Sequence, residues 1–316
     1  MLLGGLKEYV ARRADASTRH PITDLAAVVT VTDDGGSSGR LRREYGILPP
    51  GDIRNCMVAL SKDETLLGRL FQYRFPAGRG LRGHSFGNLF LTALSHVTGD
   101  FTEAVRLSGE VLAIRGRIFP STTQNITLEA VMEDGEVVSG ETRIARSGKR
   151  IRRVRLVPRR VRPLPEVLKT IRRADLIVIG PGSLYTSIIP NLLVEGVAGA
   201  IRKSKATRVY ISNLMTQPGE TQGYSVADHV RAIHQHTHRR LIDWVIVNRQ
   251  PISPAVGRRY RAEGAEPVRT DLDELRRMGL RCMFEDLLEE HGVVRHSREQ
   301  LTRLLLEEFV ERRPAR

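Results

Sequence analysis

Cysteine is scarce: the chain holds two, Cys56 and Cys282, in 316 residues. That excludes a disulfide framework and a cysteine-based zinc site, and both read as buried small residues rather than reactive thiols. No apolar run is long enough to span a bilayer, so membrane insertion is not expected. The opening MLLGGLKEYV lacks the basic, apolar, small-residue layout of a secretory signal. A reducing cytoplasm fits these absences. A Walker lysine loop, a Gly-x-Ser-x-Gly elbow and a Cys/His nucleophile pair are also missing. No catalytic residue is assigned on this pattern, and binding rather than turnover is the expectation.

What is plentiful is positive charge. Fifty Lys and Arg stand against 36 Asp and Glu, a formal net charge of +14. Such a field attracts phosphates, nucleic acid or anionic headgroups. Arginine supplies 44 of those bases, a skew that a GC-rich genome produces by itself and therefore no argument for nucleic acid. The densest run, RSGKRIRRVRLVPRRVR at 146–162, alternates Val154 and Leu156 with Arg153 and Arg155, as on a half-buried strand with a wet basic face. No aromatics interleave to stack bases, and no helix-turn-helix or zinc pattern appears. A solvated face is expected, with nucleic acid the weakest of the partner readings.

Hydrophobic residues make up 41% of the chain, enough to bury a core. Residues 1–14 read as a helix with Leu3, Leu6, Tyr9 and Val10 on one face. The β-branched LAAVVTVT reads as a strand. RNCMVALS, ETLLGRLFQYRF, SFGNLFLTALSHV and DFTEAVRLSGEVLAIRG read as helices, the last with Asp100 as N-cap and Glu103 completing a capping box. From Asn125 the period changes to two. ITLEAVMEDGEVVSGETRI reads as a hairpin about Asp134-Gly135, and with the basic run it defines a small β-rich insertion at 125–160. The strands ADLIVIG, TRVYIS and DWVIVN follow, with helical runs at 191–203, 225–238, 254–264 and 297–312. The fold class is α/β, with a doubly wound, mostly parallel sheet formed by 1–124 and 161–316 around the insertion.

In open α/β sheets ligands bind beyond the carboxyl ends of the strands. Here VVTVT runs into DDGGSSG, LIVIG into PGSLYTS, VYIS into NLMTQPGET and WVIVN into RQPIS, and four such loops on one edge form one mouth. In the first loop Gly35 and Gly36 permit close backbone approach to a ligand, Ser37 and Ser38 add hydroxyls, and Arg40 and Arg43 add phosphate donors. Asp33 and Asp34 suit ribose hydroxyls, a base edge or a bridging Mg²⁺; the alternative is a capped turn. In PPGDIRN, Arg54 and Asn55 face the mouth, and Asp52 either joins them or caps the next helix. In GHSFGN, Ser85 is the N-cap, with His84 and Asn88 as candidate contacts. In GPGSLYTS, Gly180 and Gly182 mark the strand exit, Ser183 and Thr186 are donors, and Tyr185 is a surface for stacking a base. Asn213, Thr216 and Gln217 in NLMTQPGET can read polar groups, and Arg295 in VVRHSREQL can reach a phosphate.

Taken together, TDDGGSSGRLRREYGILPPGDIRN, GHSFGNLF, GPGSLYTSIIPNLL and NLMTQPGET resemble the bacterial gluconeogenesis factor family, from about residue 3 to the C-terminal helix. The likeness to 2-phospho-L-lactate transferases is more distant. The resemblance implies a cytoplasmic, Rossmann-like protein that binds nucleotide sugars, chiefly uridine-diphospho-N-acetylglucosamine, and supports cell shape and envelope synthesis during gluconeogenic growth. The family's acidic-glycine segment falls on Asp33 to Arg40, its strand-exit loop on Gly180 to Thr186, its amide-rich loop on Asn213 to Gln217 and a late basic residue on Arg295. No cofactor is required on this reading. A metal-dependent transferase, with Mg²⁺ on Asp33 and Asp34, ranks second. A homo-oligomer is compatible with either. The family also opens with a short strand and a glycine-rich loop that this sequence does not begin with, from which a misassigned start or a shortened chain is expected.

Overall fold

A computed structural model describes residues 1–11, 22–62 and 66–311. The expected first helix appears as Leu2–Ala11, and the remainder of its expected span lies outside the described residues. β1 (Ala26–Val29) pairs in parallel with β2 (Arg117–Pro120). β3 (Thr127–Met132) lies between β4 (Val137–Ser139) and β5 (Ile151–Val157), antiparallel to both. β6 (Leu176–Ile179), β7 (Thr207–Ile211), β8 (Trp244–Asn248) and β9 (Arg281–Glu285) form a parallel sheet in sequence order. β10 (Leu288–Glu290) and β11 (Val294–His296) close a short antiparallel ladder.

Helices make the parallel crossovers. Val197–Lys203 leads from β6 to β7, and Val226–Thr237 from β7 to β8. The second starts cleanly because Ser225 and Asp228 form a reciprocal capping box. Consecutive β7 residues bury on opposite faces, which is why the strand reads as one apolar run. Tyr210 enters a core shared with Ile53, Met57 and Phe71. Val209 and Ile211 enter a second one with Leu301, Leu305 and Phe309. Among the described residues no single helix is long and apolar enough to cross a membrane.

The expected α/β class with parallel strands is found, the strands falling into two ladders among the described residues, β1–β2 and β6–β9. Several local expectations are corrected. β2 and β9 were not expected: RIFP is short and ends on proline, and RCMFE carries charge at both ends. The hairpin about Asp134-Gly135 forms, but its second arm stops at Ser139, and ETRIAR is a helix, Glu141–Arg146. The Asp34 carboxylate, from another part of the chain, accepts the Thr142 N–H in its first turn at 2.9 Å. The capping box at Asp100 is half made: Asp100 accepts the Glu103 N–H at 2.7 Å, while the Glu103 carboxylate turns to Arg106 at 2.6 Å.

The insertion is not a separate body. Leu128, Ala130 and Met132 of β3, with Val154 and Leu156 of β5, enter the same core as the parallel strands. One polar bond fixes it as well. The buried imidazole of His236, on the β7–β8 crossover helix, donates from Nδ1 to the Ala232 carbonyl at 2.7 Å and accepts the Val154 N–H at Nε2, 3.0 Å. The ring is therefore neutral, and burial, its largest influence, pushes its pKa down. His236→Leu leaves a buried N–H without a partner and is expected to cost about 1–3 kcal/mol; an unchanged urea midpoint would show that this bond anchors nothing.

Candidate functional site

Past β1 the chain leaves the core through Val31 and Thr32, both fully buried. Asp33 Oδ1 then accepts the Gly35 N–H at 2.9 Å, closing a tight turn. Helix Gly36–Tyr45 begins at once, at a glycine with φ +45°. Its first turn buries Ser37 and Ser38. Ser37 Oγ lies 2.9 Å from His84 Nδ1, and Ser38 Oγ is 3.5 Å from Asn88 Nδ2. Ser85 caps its helix as expected, accepting the Asn88 N–H at 3.2 Å. Arg54, only 9% exposed, donates to Asn88 Oδ1 at 3.0 Å and Asn55 Oδ1 at 2.7 Å. Residues expected from three separate motifs thus form one hydrogen-bonded group. Arg40 is held by the Arg82 carbonyl at 2.7 Å. Arg43 is exposed; its neighbour Arg42 reaches Asn125 and the Ile126 carbonyl and ties this helix to the insertion.

The carboxylates behind this group take different roles. Asp34 is occupied: Oδ1 accepts both the N–H and the hydroxyl of Thr142, at 2.9 and 2.7 Å. Oδ1 thus caps helix Glu141–Arg146, and Oδ2 lies beside Gly140, where a Cβ would sit 2.3 Å from it. Asp33 keeps Oδ2 open beside Gly51, where a Cβ would sit 2.7 Å from it. Asp52 does not cap its helix; Pro50 holds the N-cap position and Asp52 sits in the first turn. Burial and then Asp33 raise its carboxyl to about 6. Glu141, which sequence reasoning missed, accepts the Thr32 hydroxyl at 3.2 Å. Burial, then Asp52 and Asp33, raise it to about 8.

A second group forms where β6 and β7 end. Asn213 Nδ2 donates to the Gly182 carbonyl at 3.0 Å and reaches Gln217 Oε1 at 3.5 Å. Glu220, also missed, is 6% exposed and sits between the two loops. It accepts the Ser183 hydroxyl at 2.7 Å and the Thr186 hydroxyl at 3.3 Å, and Thr186 also reaches Ser183 Oγ at 2.8 Å. Burial raises the Glu220 pKa, against hydrogen bonds from Ser183, the Tyr185 backbone and Thr186. The hydroxyl protons of Ser183 and Thr186 are thus committed inward, which corrects their expected role as donors to a ligand. Tyr185 is corrected too. It is 2% exposed, its hydroxyl is 2.8 Å from that of Tyr224 and its ring meets His236 edge-on, so no face is free to stack on a base. Thr216 is buried, its Oγ1 accepting the Glu266 N–H at 2.9 Å, and serves the loop's own structure. Gly180 turns at φ +82° at the strand exit.

Helix Glu141–Arg146 joins the two groups. Its first turn is held by Asp34, and its Ala145 carbonyl presses on Gly219, where a Cβ would stand 2.4 Å away. Arg295 is exposed on β11; the adjoining His296 is buried, and its Nε2 donates to the Ser212 carbonyl at 3.1 Å, which sets β11 beside the end of β7. The basic strand β5 has the expected wet face: Arg152 and Arg153 are exposed, and Arg155 pairs with Glu129 at 2.8 Å. Burial pushes the Cys56 thiol up to about 12, as befits an inert side chain.

With this geometry in hand, the chain can be set beside known proteins. Residues 1–288 match the family model described as 2-phospho-L-lactate transferase CofD. A putative gluconeogenesis factor of Nostoc is 49% identical over 308 residues, 96% of this chain and 65% of that protein. The gluconeogenesis factor of Bacillus subtilis is 49% identical over 290 residues, 92% of each. The crystal structure of a Bacillus halodurans protein of the UPF0052 family superposes with a TM-score of 0.90 at 46% identity, covering 96% of this chain and 94% of that one. The chain belongs to the gluconeogenesis factor family and carries its CofD-like fold.

The acidic pair gives a pH test. A folded state that raises a carboxyl's pKa binds its proton more tightly than the unfolded chain does. The associated stability is full below the ordinary carboxylate range and is lost as pH rises through about 6 for Asp52 and about 8 for Glu141. Glu141→Gln should melt higher than the parent at alkaline pH and equal to it in acid. Parallel melting curves across that range would show that Glu141 is not raised.

Proposed function

We propose that the protein binds a nucleotide sugar, uridine-diphospho-N-acetylglucosamine by preference, and acts in the cytoplasm as a regulator of cell shape and envelope synthesis during gluconeogenic growth. The observation that carries this reading is the arrangement of two polar loop groups at the carboxyl ends of parallel strands, joined by helix Glu141–Arg146. An extended ligand with chemically different ends fits such a pair. Ser37, Ser38 and the turn at Gly35–Gly36 receive the diphosphate, Arg40 neutralises it, Asp33 faces the ribose or a cation bridging to phosphate, and Arg295, beside the end of β7, adds to the attracting field. Its relatives' names as gluconeogenesis factors support the physiological setting.

A second reading is a metal-dependent transferase of the 2-phospho-L-lactate type, supported by the family model and by the open Asp33 Oδ2. Among the described residues no group of three or more His, Cys, Asp or Glu is placed to hold a metal alone. Mg²⁺ commonly takes one or two carboxylates and completes its shell with water and substrate phosphates. Asp33 fits that role with Asp52 behind it, and the ion would neutralise a diphosphate beside these acids.

Thermal melting with the nucleotide sugar tests both readings. At a hundredfold excess over Kd a ligand that binds only the folded state stabilises it by about 2.7 kcal/mol. Mg²⁺ should enlarge the shift, and Asp33→Asn should remove that enlargement while keeping the metal-free shift. Absence of any shift at saturating ligand would end the first reading. Turnover of an activated phosphoester that Asp33→Asn abolishes would install the second.

A further inference from the structure

The loops after β6 and β7 present an unusual set of polar atoms. Glu220 is a buried carboxyl with no cation bonded to it among the described residues. Its hydrogen bonds come from the Ser183 and Thr186 hydroxyls and the Tyr185 backbone. With those protons turned inward, Ser183, the half-buried member, can offer outward only an oxygen lone pair. Asn213 adds a second, independent sign. Its Oδ1 is buried and has no donor. Rotating the amide does not help, because the Gly182 carbonyl accepts only, so Nδ2 must stay on that side. Buried acceptors left without donors are rare and costly. This wall is therefore rich in acceptors and short of protons.

We propose that the loops Gly180–Thr186 and Asn213–Glu220 form the subsite for the donor-bearing end of the ligand, the hydroxyls and amide N–H of its sugar, and that Glu220 is the positioning residue that makes this wall accept rather than donate. The inference rests on the nucleotide-sugar reading and adds an orientation to it. A phosphate, which is all acceptor at neutral pH, meets lone pairs on this wall and is repelled. A sugar hydroxyl or acetamido N–H supplies the proton that Asn213 Oδ1 lacks, and can share the lone pair that Ser183 Oγ keeps beside the Thr186 hydroxyl. The diphosphate is left to Gly35–Ser38 and Arg40, on the other side of helix Glu141–Arg146, where Mg²⁺ on Asp33 would offset the neighbouring acids. Glu220 acts through Ser183 and Thr186 rather than by contact: replaced by an amide, it can donate to Ser183 Oγ and free that hydroxyl's proton to point outward.

The test is calorimetric titration of the full chain, with Mg²⁺, using two probes: UDP-N-acetylglucosamine and UDP. The parent should bind the sugar nucleotide about tenfold more tightly than UDP, the worth of one or two satisfied hydrogen bonds. Glu220→Gln, nearly isosteric, should bring that ratio close to one while leaving UDP affinity in place. Ser183→Ala should lower the ratio in the same direction and, being a small partly exposed change, decides the matter if the Gln variant does not fold. If the parent binds neither probe, the nucleotide-sugar reading falls and this inference with it. If the parent binds both equally, the reading survives and the subsite is wrong. A Glu220→Gln variant that weakens both probes equally reduces Glu220 to scaffold and overturns the proposal.

Discussion

The bond between the Asp34 carboxylate and the first turn of helix Glu141–Arg146 governs how the rest of the cleft is arranged. Asp34 leaves the parallel ladder at β1; Thr142 belongs to the antiparallel insertion. A charged acceptor on two donors is among the stronger links available to a folded chain. It fixes where the helix starts, and the helix is too short to bend. Its far end then sets the distance to Gly219, and through the next residue, Glu220, the conformation of the loop after β6. The two polar loop groups, which share no hydrogen bond among the described residues, are thereby held at a defined spacing by helix Glu141–Arg146.

Charge is distributed against the average of the chain. The sequence carries a large excess of base, yet four acids lie among the two loop groups, Asp33, Asp52 and Glu141 in one and Glu220 in the other, with Arg54 the buried base among them. Each is hydrogen-bonded or neighbours another acid. Burying a carboxyl costs folding free energy, and here the cost appears as raised pKa values for Asp52, Glu141 and Glu220. The basic residues, by contrast, crowd the outside of the insertion, where Arg152 and Arg153 stand in solvent. The excess of base thus lies on the outside of the chain and the acids lie within.

Much of this was legible in the sequence. Alternation of β-branched runs with helical spacing marked β1 and β6 to β8, and the glycine-bearing loops after β1, β6 and β7 carry the two hydrogen-bonded groups. Ser85 declared itself as a cap by standing before an apolar periodic run. What escaped shares a physical reason: it depends on contacts distant along the chain. ETRIAR has no strong helical signature and becomes a helix because Asp34 satisfies its first turn. Tyr185 looked like a stacking platform, but its neighbours Tyr224 and His236 enclose it. Glu220 stood in plain view at the end of NLMTQPGE, and nothing local said that it would be buried. The two acids Asp33 and Asp34 are adjacent and alike in sequence; only their partners, the Gly35 N–H for one and Thr142 for the other, tell the one that closes its own turn from the one that reaches the insertion.

The imidazole of His236 on the Val154 amide has a consequence outside the cleft. β5 is the outer strand of the insertion, and such a margin ordinarily invites a strand from another molecule to add to it. Here one of the amides needed for that growth is already spoken for by a side chain. The guanidinium groups along the same strand add mutual repulsion between any two copies that approach margin to margin. The outer strand of the insertion is thus sealed at Val154 against pairing with a second copy.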